Sequence, residues 1–310
     1  MLRAFALSKT GQIGQKMAFK PTSLSSPAFR LSGIEQGVIM ALIQRGSLFY
    51  DQSGTRIFLS ADRNKGGAMV LDVTVPKALT EFKRLIDSHP VCSHPFWAQF
   101  EKGDFTLEQV KPFALQYYLH VTTTRLYPAA VLSRMPDEKI QLAIATVLWD
   151  EYGHGDSGRT HPAQFRSFLG HLGLTEADWG PVLPIPELVR YRDLHYSLCS
   201  RENVWFGMGI VALAMEWPIP RFYAHLVAGF RKALRLDDRA LAFFLDHVKE
   251  DEVHTELLTS ALTPYLADPA IRESMREGVV RSLDARAVFM AGLFRLMWPQ
   301  LSDSGATIKT

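Results

Sequence analysis

Three side chains on one stretch of chain open the chemical reading. The segment Asp246-His247-Val248-Lys249-Glu250-Asp251-Glu252-Val253-His254 carries His247, Asp251 and His254 at offsets of 0, 4 and 7. On an α-helix those offsets share one face. Imidazole with carboxylate is a donor set that suits iron, manganese or zinc, and no thiolate is offered. Phe243, Phe244, Leu245 and Val248 lie on one side of the triplet's centre and Leu257 and Leu258 come after it. The helix is therefore expected to pack. Lys249, Glu250 and Glu252 favour the competing reading, a solvated charged face; three donors in register beside further candidates weigh against it.

Glu216 is the next candidate. It ends the apolar run Val204-Trp205-Phe206-Gly207-Met208-Gly209-Ile210-Val211-Ala212-Leu213-Ala214-Met215. A helix that is apolar all round is buried, and a carboxylate on it must be paired or bound to a cation. Pro218 and Pro220 bend or end that helix. The plainer alternative pairs Glu216 with Arg221 or leaves it in solvent.

The third segment is Trp149-Asp150-Glu151-Tyr152-Gly153-His154-Gly155-Asp156-Ser157-Gly158-Arg159-Thr160-His161. Acidic residues at a helix C-terminus oppose the macrodipole, so Asp150 and Glu151 invite a cation. His154 competes with Glu151 as the donor, but Glu151 keeps the helical register before the Gly153 break. His161 begins the next helix. Glu151, Glu216 and Asp251 with His161, His247 and His254 make three carboxylates and three neutral imidazoles. Against two ferrous ions they leave a slightly positive, incompletely coordinated centre with room for dioxygen and substrate. Helical di-metal carboxylate proteins project such residues inward from several helices.

These residues need helices to hold them. Residues 1 to about 30 read as a basic tail. Ile34, Val38, Ile39, Leu42 and Ile43 repeat at helical spacing, and Leu48-Phe49-Tyr50 and Arg56-Ile57-Phe58-Leu59 flank a turn as a small hairpin. Met69 to Val75 reads as a further strand. Helical signals then run from Pro76 to the C-terminus, broken by Pro and Gly. Helices are expected from Thr106, from Pro136 to Glu151, from Thr160 to about Gly170, and over about 187–217, 238–260 and 269–298. The expected boundaries are an extension over 1–88, a helical domain over 89–300 and a tail over 301–310.

Composition excludes other classes. Of 310 residues 47% are hydrophobic and 21% charged, an ordinary globular balance, and the formal charge of +2 offers nothing special to nucleic acid or acidic membranes. No apolar run reaches the ~20 residues of a spanning helix. Cys92 and Cys199 form neither a disulfide framework nor a zinc motif and fit a reducing cytoplasm. The basic, acid-poor terminus is similar to a transit peptide only in composition.

The order of candidates, with Glu151 at a helix end, His161 after a Gly-rich loop, Glu216 in an apolar helix, then His247-x3-Asp251-x2-His254, resembles the haem-oxygenase-like di-iron oxidases over roughly residues 88–300. Ser93-His94-Pro95-Phe96-Trp97, Gln116-Tyr117-Tyr118 and Arg125-Leu126-Tyr127-Pro128 are similar to the opening helices of this family and of its TenA-like relatives. The resemblance implies an all-α, seven-helix haem-oxygenase-like bundle, with residues 1–88 as a small mixed α/β extension. It implies two iron ions on the six residues named above and dioxygen as co-substrate. Members N-oxygenate amines, cleave or decarboxylate acids and amino acids, or modify themselves. The expectation for this chain is oxidation of an amine or amino acid, first of all N-oxygenation in a small-molecule biosynthetic pathway; the alternative is oxidative C–C cleavage by the same centre. A metal-free TenA-like hydrolase or a binding module is the reading of another class; the hydrolase needs a nucleophilic cysteine, and Cys199 has no partner evident from spacing. Tyr117, Tyr118, His120, Arg125 and Trp205 are the expected substrate-pocket residues, with His120 or Arg125 pairing an acid. Expected partners are a small-molecule substrate, free or on a carrier protein, and an external electron donor, with a homodimer as one arrangement and no nucleic acid or membrane.

Overall fold

A computed structural model of the protein describes residues 2–7, 17–19, 48–50, 56–57, 74–201 and 203–302. The chain divides into two compact units, residues 1–81 and 82–310. In the first, strands β1 (Leu2–Leu7), β2 (Met17–Phe19), β3 (Leu48–Tyr50) and β4 (Arg56–Ile57) form a sheet in the order β2-β1-β3-β4. All pairings are antiparallel, with Ala4 opposite Met17, Ala6 opposite Phe49 and Phe49 opposite Ile57. Strands β1 and β2 thus fall where the sequence reads as a tail: Leu2-Arg3-Ala4-Phe5-Ala6-Leu7 has no turn residue to interrupt pairing with two partners. The helix expected from the Ile34–Ile43 periodicity and most of the strand expected at 69–75 lie outside the described residues. Thr74 and Val75 instead open helix α1 (Thr74–Asp87), where Pro76 sits in the first turn and sacrifices no intrahelical bond.

The second unit is helical: α2 (Pro95–Glu101), α3 (Leu107–Val121), α4 (Leu126–Leu132), α5 (Glu138–Glu151), α6 (His161–His171), α7 (Pro186–Arg201), α8 (Val204–Met208), α9 (Ile219–Leu234), α10 (Ala242–Leu262) and α11 (Pro269–Met297) are its main elements. Local chemistry marks their starts. Thr106 and Gln109 close a capping box on α3, Asp137 accepts from the Ile140 amide at 2.9 Å, Thr160 accepts from Ala163, and Asp268 from Ala270. Helix α9 is absent from the sequence expectation, because Pro218 and Pro220 read there as a stop. Proline is equally at home in a first turn, and here the pair starts a helix that buries Phe222, Tyr223, Leu226 and Phe230. The helix expected over 187–217 is also divided. Asn203 caps a new start, and Gly209–Ala214 then adopts π geometry, with the Met215 amide bonded to the Ile210 carbonyl at 2.9 Å. Among the described residues no helix is long and apolar enough to cross a membrane.

Helix α10 lies at the centre, packed by α5, α6, α9 and the π segment, while α11 runs along α3, α7, α8 and the π segment. The α8–α11 crossing is notched by two glycines: a Cβ on Gly209 would stand 2.1 Å from the Met275 carbonyl oxygen, and one on Gly278 2.2 Å from that of Phe206.

Behind this core sits a buried neutral histidine. His195 is fully buried, donates from Nδ1 to the Tyr191 carbonyl and accepts at Nε2 from the Ser282 hydroxyl, both at 2.8 Å. Burial holds its pKa down at about 3, and that of His94 at about 4. Unfolded histidine takes up its proton near 6.5, so below that pH the unfolded state binds more protons and stability falls as pH falls. Each such histidine removes up to about 1.4 kcal/mol per pH unit below 6.5, until its folded pKa is reached. Denaturant midpoints between pH 7 and pH 4.5 should therefore drop steeply, and His195→Gln should flatten the slope while lowering stability at pH 7. A slope unchanged by His195→Gln would remove this histidine from the acid response.

Candidate metal centre

The turn after α5 brings Glu151 and His161 together. Gly153, His154 and Gly155 all have positive φ (63°, 57° and 83°), which reverses the chain within a few residues. Only glycine fits at 153, where a Cβ would meet the Arg159 carbonyl carbon at 2.5 Å. Thr160 then caps α6, and His161 in its first turn faces back toward the end of α5. Its Nδ1 lies 2.9 Å from Glu151 Oε2 and 3.0 Å from His247 Nε2. His247 donates from Nδ1 to the Phe243 carbonyl at 2.6 Å, which leaves the Nε2 lone pair turned toward that group. Burial, with the neighbouring His161, keeps the His247 imidazole neutral, with its pKa lowered to about 3. Burial alone would raise the Glu151 carboxyl; the neighbouring His161 outweighs it and holds the group below its usual range.

A second group forms one turn further along α10. His254 Nδ1 lies 3.4 Å from Glu216 Oε2 and 3.8 Å from Asp251 Oδ1, and one donor atom from each of the three residues falls within 4.8 Å of the others. The π segment ahead of Glu216 sets its direction: one extra residue in the turn rotates the chain beyond it relative to a regular helix. His254 Nε2 donates to Asp150 Oδ2 at 3.0 Å, and Asp150 Oδ1 also takes His154 Nε2 at 2.6 Å. Burial would lower the His254 pKa, but hydrogen bonding to Glu216 and Asp150 overrides it and lifts the ring to about 9. Metal entering this group must displace that proton.

Both groups face one cavity of about 50 Å³, whose wall includes Glu151, His161, Glu216, His247 and Asp251. Asp251 also lines an open groove of about 540 Å³ with Cys92, Trp217 and Arg221, so groove and cavity meet at that residue. The donor chemistry fits iron. Imidazoles and carboxylates converge, each imidazole of α10 has its far nitrogen engaged, and the donor spacings near 3 Å are those that metal–ligand bonds of ~2.1 Å produce.

Not every residue singled out in the sequence reaches this cavity. His120 lines it. Tyr117 stands one layer behind, hydrogen-bonded to Tyr223, and burial pushes its hydroxyl up to about 12. Tyr118 receives a bond from Arg166 at 3.2 Å and packs near Trp179; Arg125 lies over Tyr152; half-buried Trp205 stacks on Tyr265 at 4.6 Å. Tyr118 and Trp205 spend their rings on packing against neighbouring elements, and Arg125, at the start of α4, spends its guanidinium on Tyr152. His154 is half exposed, whereas Glu151 is nearly buried. Sequence reasoning passed over Tyr223 and Arg286, and it marked Asp150 as inviting a cation rather than as the partner of His254. Asp150 orients His254, and Tyr223 and Arg286 line the cavity. Arg286 could have been found: it shares the helical row of Val279, Leu283 and Met290, an apolar face where a cation is out of place.

Removing a carboxylate that orients a metal-binding imidazole typically weakens metal affinity about 10- to 100-fold. Asp150→Ala should lose affinity in that range in a ferrous titration, and His154→Ala, which changes only the outer side of Asp150, should stay within a few-fold of wild type. The reverse order would exchange their roles.

The family model described as "Iron-containing redox enzyme" matches residues 111–287, more than half of the chain. The chain is 25% identical over 230 residues to 4-aminobenzoate synthase of Nitrosomonas europaea, covering 70% of this chain and 92% of that protein. It is 22% identical over 214 residues to 4-chloro-allylglycine synthase of Streptantibioticus cattleyicolor, covering 69% and 81% respectively. Among solved structures, a domain with a heme oxygenase-like fold from Shewanella denitrificans superposes with a TM-score of 0.57 at 18% identity, covering 74% of this chain and 94% of that one, which is a likeness of fold.

Proposed function

The chain belongs to the family of iron-containing redox enzymes, and from that premise we propose that it is a dioxygen-dependent di-iron oxygenase that oxidises an amine or amino acid, first of all at nitrogen. The observation that carries this reading is the pairing of two donor groups around one cavity. Glu151, His161 and His247 would hold one iron, and Glu216, Asp251 and His254 the other. Two ferrous ions bound there would supply the electrons that activate dioxygen.

The remaining work falls to the chain. The Phe243 carbonyl fixes the His247 imidazole in the tautomer that presents a lone pair inward, and Asp150 holds the His254 ring with its Nδ1 toward Glu216, where a metal would take the place of the proton. Phe243, Tyr223, Met215 and Ile219 give the cavity an apolar wall. N-oxygenation of a primary amine balances as amine plus dioxygen plus two electrons and two protons giving hydroxylamine plus water, so an external donor must return two electrons each turnover. The two relatives are named for 4-aminobenzoate and 4-chloro-allylglycine, molecules that carry an amino group together with a carboxylate, which favours an amino acid or amino-aryl acid over a plain amine. The hydrolase reading is weakened at its nucleophile: Cys199 is fully buried, and burial pushes its thiol up to about 12.

Anaerobic ferrous loading followed by metal analysis should give two irons per chain, and mixing with dioxygen should consume it with a transient visible absorbance. Amines and amino acids, free or carrier-bound, should yield hydroxylamine or nitroso products; carbon dioxide and a shortened product would assign oxidative cleavage instead. A single tightly held ion with no oxygen uptake would overturn the di-iron reading.

A further inference from the structure

Opposite the metal-facing residues, the same cavity carries a cation with no anion to answer it. Arg286 on α11 and His120 on α3 both line the cavity and are only 4% and 5% exposed. The guanidinium of Arg286 makes one long hydrogen bond, NH2 to the Tyr191 hydroxyl at 3.4 Å, and lies over the rings of Phe222 and Tyr191 at 5.7 and 6.0 Å. Its Nε is buried without a hydrogen-bond partner, and among the described residues no carboxylate stands within 4.0 Å of it. His120 Nδ1 is likewise buried without a partner, its ring edge-on to Tyr191 at 5.1 Å and tilted on Phe289 at 5.4 Å.

A buried, unpaired guanidinium is among the costliest groups a fold can keep, and cores generally replace it with an apolar residue unless something pairs with it. Two orphaned polar atoms on one cavity wall need one partner that can accept from both. The planar guanidinium fork matches a carboxylate, which accepts two parallel bonds, and an amine has the wrong charge. Burial and the Arg286 charge keep His120 a neutral imidazole, so it adds a hydrogen bond without a second charge.

We propose that Arg286 and His120 form a carboxylate-binding subsite, so that the substrate is a compact amino-carboxylic acid held by its carboxylate at α11 and α3 with its amine turned toward Glu216, Asp251 and His247. The proposal rests on the di-iron reading for what happens to the amine, but the subsite can be tested without turnover. Manganese-loaded full-length protein is titrated calorimetrically with glycine against glycinamide and benzoate against benzamide. The expected result is that at least one acid binds 10-fold or more tightly than its amide. Arg286→Met should bring that ratio near one at unchanged metal stoichiometry, Arg286→Lys should keep part of it, and His120→Leu should reduce it several-fold. An acid preference that survives Arg286→Met means that the carboxylate ligates the metal, and it overturns the subsite. So does a wild-type protein that holds two metals but shows no preference, while the di-iron reading then stands. If the wild-type protein takes up no metal, the di-iron reading falls, and the same ratios measured without metal still decide the subsite. Should Arg286→Met fail to fold, unchanged ratios in Arg286→Lys and His120→Leu overturn the proposal.

Discussion

His247→Ala is expected to cost the protein one metal equivalent and, with it, oxygen-dependent turnover. His247 Nε2 stands 3.0 Å from His161 Nδ1, and its other nitrogen is committed to the Phe243 carbonyl, so the ring is held in place as a donor. Loss of an orienting partner already costs about 10- to 100-fold in metal affinity, and loss of a donor itself should exceed about 100-fold. The fold should persist. The ring packs against Phe243 at 4.2 Å and Tyr223 at 5.6 Å, so its removal leaves a small void worth about 1–3 kcal/mol in a large helical core. Far-UV circular dichroism should be unchanged while metal analysis falls from two to one. A His247→Ala protein that keeps two irons and wild-type rate would show that His247 is not a donor.

The second large effect is structural. Gly278→Ala should destabilise the protein by about 3 kcal/mol or more, since overpacking ordinarily costs about 1–3 kcal/mol and here the clash is with backbone. The new Cβ would stand 2.2 Å from the Phe206 carbonyl oxygen and 3.1 Å from its carbon, and no rotamer change relieves that; α8 and α11 must separate. The separation moves the π segment that leads to Glu216, so ferrous affinity should fall along with the denaturant midpoint. Gly170→Ala is the contrast. It lies exposed near the end of α6, where an added Cβ would meet nothing within 4 Å, and alanine there should be neutral or add up to about 1 kcal/mol. Equal behaviour of the two variants would remove the close helix crossing as a determinant of stability.

Much of this protein is written locally. The offsets of His247, Asp251 and His254 need only a helix to share a face, and 3.6-residue geometry supplies it. Thr106, Asp137 and Thr160 announce helix starts through hydrogen bonds that span three residues. A Gly-rich turn between Glu151 and His161 requires that the chain reverse there, and an apolar run requires that Glu216 be carried inward. What the sequence could not determine depends on contacts distant along the chain. Pro218 and Pro220 can end one helix or begin another, and packing of Phe222 and Phe230 decides for the beginning. The π turn at Gly209–Ala214 arises where glycines let α8 and α11 approach at backbone distance, and no local propensity encodes it. Which aromatic face meets the cavity is also a tertiary matter: Tyr118 and Trp205 spend their rings on neighbouring helices, while Tyr223 takes the inner wall. The role of Asp150 and the isolation of Arg286 appear only when α5, α10 and α11 are in place, because an unpaired charge is defined by what does not come near it.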